Sequence, residues 1–98
     1  MLKIVSGGVQ TATVSSSGDT METDGATVPP VANRAEGYVR SASVVVDRSG
    51  GTPTATKGEQ WNAGDIIILR SADEIRLAKF IRQASTDAKI DWHFYTGT

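Results

Sequence analysis

The clearest hydrophobic pattern of the chain lies near its C-terminus, where apolar and polar residues alternate over residues 90–95 (IDWHFY). Successive side chains of a β-strand point to opposite faces, so a two-residue period places the apolar set on one face and the polar set on the other. The stretch therefore predicts a half-buried strand with Ile90, Trp92 and Phe94 in the core. Gly97 is expected to end this strand.

Four other stretches have the composition and length of strands. Residues 66–69 (IIIL) form a continuous apolar run, which is typical of a strand buried on both faces. Residues 9–14 are short and rich in threonine, which favours a weak edge strand. Residues 38–40 and 43–46 predict one interrupted strand or two adjoining strands, closed by a turn at residues 47–51.

The segment before the last strand admits two interpretations. Apolar residues recur at the i, i+3, i+4 and i+7 spacing of a helix from Leu77 onward, and Ser71 with Glu74 has the pattern of a capping box. A helix over residues 71–84 would make the fold α+β. The alternative is strand structure over residues 75–82, leading through a turn into the last strand.

A long segment in the first third of the chain has no clear pattern. Residues 15–34 are poor in large apolar side chains and contain the pair Pro29-Pro30. A loop of about 20 residues is unusual in a compact domain unless it is functional or bound to something. We interpret this segment as an extended arm, and expect its isolated apolar residues to contact another surface. These residues are Met21, Val28 and Val31.

The composition favours a small, mostly β domain. The 98 residues include ten glycines and are 39% hydrophobic, with many threonines and valines, which is typical of short strands separated by turns. A chain of this length has room for one core. We expect one all-β domain, a small antiparallel, jelly-roll-like β-sandwich. Residues 1–34 would form its N-terminal strand and arm, and residues 35–98 its core.

Charge and cysteine content argue against several classes of function. Ten Lys and Arg residues and eleven Asp and Glu residues give a net charge of −1, without a run of like charge. Binding to nucleic acid or to a membrane surface would require clustered basic residues, so we expect neither. The absence of cysteine excludes disulfides and thiolate chemistry. No signal-peptide pattern begins the chain, so we expect synthesis in the cytoplasm.

No set of residues predicts catalysis, metal binding or cofactor binding. The only histidine, His93, has no nucleophile placed beside it by the strand pattern, so we expect no enzyme activity. The acidic stretch at residues 19–24 is similar to a calcium loop, but Met21 interrupts its oxygen ligands and no closing glutamate follows. We therefore predict no catalytic residue, no metal ligand and no cofactor.

Several short motifs occur in a fixed order along the chain. They are Ser17-Gly18-Asp19, Val28-Pro29-Pro30-Val31-Ala32, Gly37-Tyr38-Val39-Arg40, Thr52-Pro53-Thr54-Ala55-Thr56 and Ala63-Gly64-Asp65. This order resembles that of small virion proteins of tailed phages, over most of the chain from Ser15 to Gly97. The resemblance implies a capsid decoration or cement protein with a β-sandwich fold and no active site. It also favours a strand at residues 75–82.

The resemblance also implies partners and a location. Such proteins bind the major capsid protein or another virion protein on the phage capsid surface, after synthesis in the host cytoplasm, and we expect a homo-oligomer, a trimer in particular. A minor head-tail or tail component and a carbohydrate- or host-binding β module are the alternatives. We expect partner contacts from the arm and from two tyrosines, whose hydroxyl groups give them a polar handle. The predicted contact residues are Met21, Val28, Pro29, Pro30, Val31, Tyr38 and Tyr95.

Overall fold

The structure is a computed structural model that describes residues 2–5 and 7–97, and within them the chain forms nine strands and one short helix. The all-β prediction is confirmed, because far more residues lie in strands than in the helix. The strands are β1 (Lys3–Ile4), β2 (Gln10–Val14), β3 (Asp19–Thr20), β4 (Arg34–Arg40), β5 (Val44–Asp47), β6 (Glu59–Trp61), β7 (Ile66–Leu69), β8 (Lys79–Arg82) and β9 (Ala88–Thr96), and helix α1 spans Ala72–Leu77.

The strands form two antiparallel sheets, as the sandwich prediction requires. In the large sheet β4 lies between β7 and β9, and β1 and β2 pair one after the other along the far side of β9. In the small sheet the strand order is β3-β8-β5-β6. The register between β4 and β9 extends over seven residue pairs, from Arg34–Tyr95 to Arg40–Lys89, so these two strands form the centre of the large sheet.

The core lies between the two sheets and is built from their inward-facing residues. Ile90, Trp92 and Phe94 of β9 are all buried, as the alternating pattern predicts. Phe80 of β8 packs edge-on against Trp92, with ring centroids 5.6 Å apart and an interplanar angle of 65°. This aromatic pair joins the inner faces of the two sheets.

Gly37 makes room for the largest side chain of the core. It lies in β4 directly opposite Trp92. A Cβ atom at position 37 would lie 2.6 Å from Cζ3 of Trp92 and 2.7 Å from Cγ2 of Ile90, well inside van der Waals contact. The indole ring therefore packs over the backbone of β4 because residue 37 has no side chain.

Both interpretations of the segment before the last strand are partly correct. Ser71 Oγ accepts a 3.1 Å hydrogen bond from the backbone N–H of Glu74, so the predicted cap begins α1. The helix ends at Leu77 because the next residues gain ladder hydrogen bonds with β3 and β5 and bury Phe80. The predictions of a helix continuing to residue 84 and of a strand at residues 75–77 are therefore wrong.

Strand β7 is an edge strand, so the prediction that residues 66–69 are buried on both faces is wrong. Within the described residues it pairs with β4 alone, and Ile66 is 55% exposed. On the free side of β7, the carbonyl of Ile68 accepts a 2.6 Å hydrogen bond from Arg48. The same guanidinium contacts Glu59 of β6 and Glu74 of α1. This ion-pair cluster ties one edge of the large sheet to the small sheet.

The predicted arm at residues 15–34 is a folded part of the sandwich. Strand β3 pairs with β8, and the amide of Thr13 donates a 3.0 Å hydrogen bond to the carbonyl of Asp24. Met21 is fully buried and Val28 is 8% exposed, both within the main core cluster. Residues 15–34 therefore contribute side chains to the same core as residues 35–98.

Candidate interaction surface

The outer face of the small sheet is covered by the chain itself. Val45 of β5 points to this face, yet it is only 2% exposed. The loop between β5 and β6 lies over it, since a Cβ atom at Gly58 would be 2.7 Å from Cγ1 of Val45. Pro53 of this loop is buried, and the Ala55 carbonyl accepts a 3.4 Å hydrogen bond from Gln83. The loop therefore covers the part of this face around Val45.

The outer face of the large sheet is open, because no other segment of the described chain lies over it. We call it the open face. Its most exposed apolar residues are Tyr38 of β4 at 47%, Ile66 of β7 at 55% and Ile4 of β1 at 64%. Tyr38 and Ile66 lie opposite each other in the sheet register and form an exposed pair. The outward residues of the open face are Ile4, Thr11, Thr13, Arg34, Glu36, Tyr38, Arg40, Ile66, Ile68, Lys89, Asp91, His93 and Tyr95.

Two ion pairs join charged groups of the open face. Asp91 accepts hydrogen bonds of 2.7 Å from both Arg40 Nε and Thr11 Oγ1. Burial disfavours the ionised form of Asp91, but these hydrogen bonds and the nearby cations outweigh it and hold its pKa below the ordinary value. Arg34 pairs with Glu36 at 3.2 Å. These pairs leave little net charge on the open face, which suits burial against another protein.

Within the described residues, no catalytic or metal-binding cluster accompanies the open face. His93 is exposed on the open face, and no described hydroxyl or carboxylate hydrogen-bonds to its ring. Among residues 2–5 and 7–97, no group of three or more His, Cys, Asp or Glu side chains is placed to share a metal ion. Three depressions at the surface have volumes of about 270 to 480 Å³.

Asp24 is the acidic residue whose surroundings differ most from water. It lies in the turn after β3, and its Oδ2 atom is buried without a hydrogen-bond partner in the described part of the chain. Burial, with a smaller contribution from the charge of Asp19, raises the pKa of Asp24 from 3.8 to about 6. Since the raised pKa comes from burial near one other carboxylate, it reflects packing of the turn and does not indicate a cation site.

Replacing Asp24 with Asn is expected to stabilise the protein by about 1 kcal/mol at pH 7.5. Between pH 3.8 and about 6 the folded state binds more protons than the unfolded state, so the contribution of Asp24 to stability is present at low pH and is lost as pH rises through 6. Because Asp24 is partly exposed, we expect a stabilisation smaller than the full linkage energy of its pKa shift. Urea unfolding of the natural chain and the variant at pH 7.5 and pH 4 measures this stabilisation. Glu22→Gln in the same turn is the control, and an equal gain at both pH values would contradict the assignment.

The structure brings only some of the predicted contact residues to one surface. Tyr38 and Tyr95 both lie on the open face, on the neighbouring strands β4 and β9. Pro30 and Val31 are exposed in the turn before β4, and Pro29 is half-buried. The predictions that Met21 and Val28 contact a partner are wrong, because both side chains are in the core.

Two exposed apolar residues of the open face were not predicted as contact residues. Ile66 belongs to an apolar run that has the pattern of a buried strand, so the sequence contains no local sign that one face of it is open. Ile4 lies in a two-residue strand that is too short to show a period. Only the pairing of these strands at the margins of the large sheet places both side chains at the surface.

Three comparisons with known proteins found no match. No protein-family model, no curated protein and no solved structure matches the chain. In the structure, no helix among the described residues has the length and apolar character needed to cross a membrane.

Proposed function

We propose that the chain is a structural virion protein of a tailed phage, a capsid decoration or cement protein that binds neighbouring major capsid subunits through the open face. The observation that carries the proposal is the asymmetry of the sandwich. One outer face is covered by its own loop, whereas the other exposes Tyr38, Ile66 and Ile4. The order of motifs that resembles small virion proteins supports the same function.

The proposed mechanism is physical and needs no reaction. A specific protein contact buries about 800 Å² on each partner, with apolar and aromatic residues at its centre and polar residues at its rim. The open face supplies the exposed apolar side chains of Tyr38, Ile66 and Ile4 beside two ion pairs, Arg34–Glu36 and Arg40–Asp91, that are already formed. Seated across a boundary between capsid subunits, the chain would add buried area to both and slow their separation.

We also propose that the chain associates as a trimer. The open face would equally serve a minor head-tail or tail protein, which is the alternative function. A carbohydrate-binding module is less well supported. Such a module would need a platform of exposed aromatic rings, but Trp92, Phe80 and Phe94 are buried. Trp61 is half-buried, with its Nε1 3.3 Å from Glu59 Oε1. Tyr38 is the most exposed aromatic side chain among the described residues.

The proposed function is tested by looking for the chain in phage particles. Particles are purified on a density gradient from lysates of cells that carry the gene, and their proteins are quantified by mass spectrometry. We expect the 98-residue chain to sediment with the major capsid protein in a fixed ratio, in the tens to hundreds of copies that a shell lattice implies. Particles that lack the chain, or that carry it at irregular trace levels, would contradict the proposal.

A further inference from the structure

We infer that a depression at one end of the open face binds a carboxylate group of the partner protein, an inference that rests on the proposed function. The depression has a volume of about 390 Å³ and is lined by Arg34, Arg70, Leu2 and Asn33, among others. It lies where β4 begins and β7 ends, next to the last residues of β9. Arg34 is the first residue of β4, and Arg70 directly follows β7, the neighbour of β4 in the large sheet.

The pairing of β4 with β7 brings the two arginines to the same end of the large sheet. Ala35 pairs with Leu69, Arg34 precedes Ala35, and Arg70 follows Leu69. Both arginines line the same depression. Two cations that share a depression repel each other, so an anion bound between them is favourable.

Of the two arginine side chains, only that of Arg34 is paired with an acidic residue. Nε and Nη2 of Arg34 both contact Glu36 Oε2, at 3.3 and 3.2 Å. The guanidinium of Arg70 forms no ion pair and no hydrogen bond with any of residues 2–5 and 7–97, and its side chain is exposed. Within the described part of the chain, the N–H donors of the planar Arg70 guanidinium are therefore unused, while the nearby Glu74 carboxylate accepts from the Arg70 backbone amide at 3.0 Å and pairs with Arg48.

A carboxylate fits this group of donors, because a guanidinium can bind both carboxylate oxygens at once through parallel hydrogen bonds. The surroundings favour a carboxylate carried by a protein. The exposed pair Tyr38 and Ile66 lies on the same two strands, four residues from the arginines, which is about 13 Å along the sheet. One partner segment with an acidic residue and an apolar residue at this separation would contact both sites.

The inference is tested with the full chain and glutarate, a small dicarboxylate, as the probe. The side-chain Nε–Hε resonances of the arginines are followed by NMR at constant ionic strength. We expect the resonances of Arg34 and Arg70 to move to saturation, and Arg70→Gln to weaken glutarate binding about tenfold. Arg76→Gln is the matched control, since Arg76 is also exposed but does not line the depression. It should leave binding unchanged.

Three results would overturn the inference. The first is an equal shift of the Nε–Hε resonances of all arginines in proportion to salt. The second is unchanged glutarate binding in Arg70→Gln. The third is binding of inorganic phosphate about tenfold tighter than that of glutarate, which would indicate a phosphate site. The titration needs no phage particle, so its failure is distinguishable from failure of the proposed function. In particle binding, we expect Arg70→Gln to lose affinity and Arg76→Gln to retain it. Equal affinities there would show that the partner does not use the depression.

Discussion

Replacing Gly37 with alanine is expected to lower the free energy of unfolding by about 3 kcal/mol, the upper end of the usual cost of overpacking a core. The new methyl group would lie 2.6 to 2.7 Å from the ring of Trp92 and from Ile90. Both side chains are buried at the centre of the large sheet and have little space to move. Denaturant unfolding followed by far-ultraviolet circular dichroism measures the change.

A double-mutant cycle separates this steric effect from the backbone effect of losing a glycine. In a Trp92→Leu background the smaller side chain relieves the contact with position 37. We therefore expect Gly37→Ala to cost at least ~1.5 kcal/mol less there than in the natural chain. The same cost in both backgrounds would contradict the packing of Trp92 over the backbone of β4.

Replacing Met21 with alanine is expected to cost about 3 kcal/mol of stability, within the range measured for removing a buried methionine side chain. Met21 is fully buried, so its truncation leaves a cavity in the main core cluster. The matched control is Val31→Ala in the same segment, because Val31 is 63% exposed and should change stability by less than about 0.5 kcal/mol. Equal, small effects of both changes would show that residues 15–34 are the free arm that the sequence suggests.

The sequence predicted elements whose stability depends on local periodicity or local hydrogen bonds. The alternation of residues 90–95 predicted β9 and its buried face, and the pair Ser71 and Glu74 predicted the start of α1. In both cases neighbouring residues alone determine the outcome. The strand period fixes which face is apolar, and the cap satisfies amide groups within one helical turn.

The sequence did not predict features that depend on which distant strands become neighbours. Met21 is isolated among polar residues, and its burial follows from the pairing of β3 with β8, about 60 positions along the chain. Ile66 is exposed because β7 lies at an edge, although its own run is uniformly apolar. The same limit applies to the candidate site. The choice between a covered and an open face depends on where the loop over Val45 folds.

The most direct test of the open face as the contact surface is co-sedimentation of the double variant Tyr38→Ser/Ile66→Ser with particles depleted of the natural chain. Both residues are exposed, so the fold is expected to remain intact, which circular dichroism verifies. The control is Leu77→Ser, which removes an equally exposed apolar side chain on α1, outside the open face. We predict that the natural chain and Leu77→Ser sediment with the particles, whereas the double variant stays in the supernatant with at least about tenfold weaker binding. Full binding of the double variant, or loss of binding in Leu77→Ser alone, would contradict assembly through the open face.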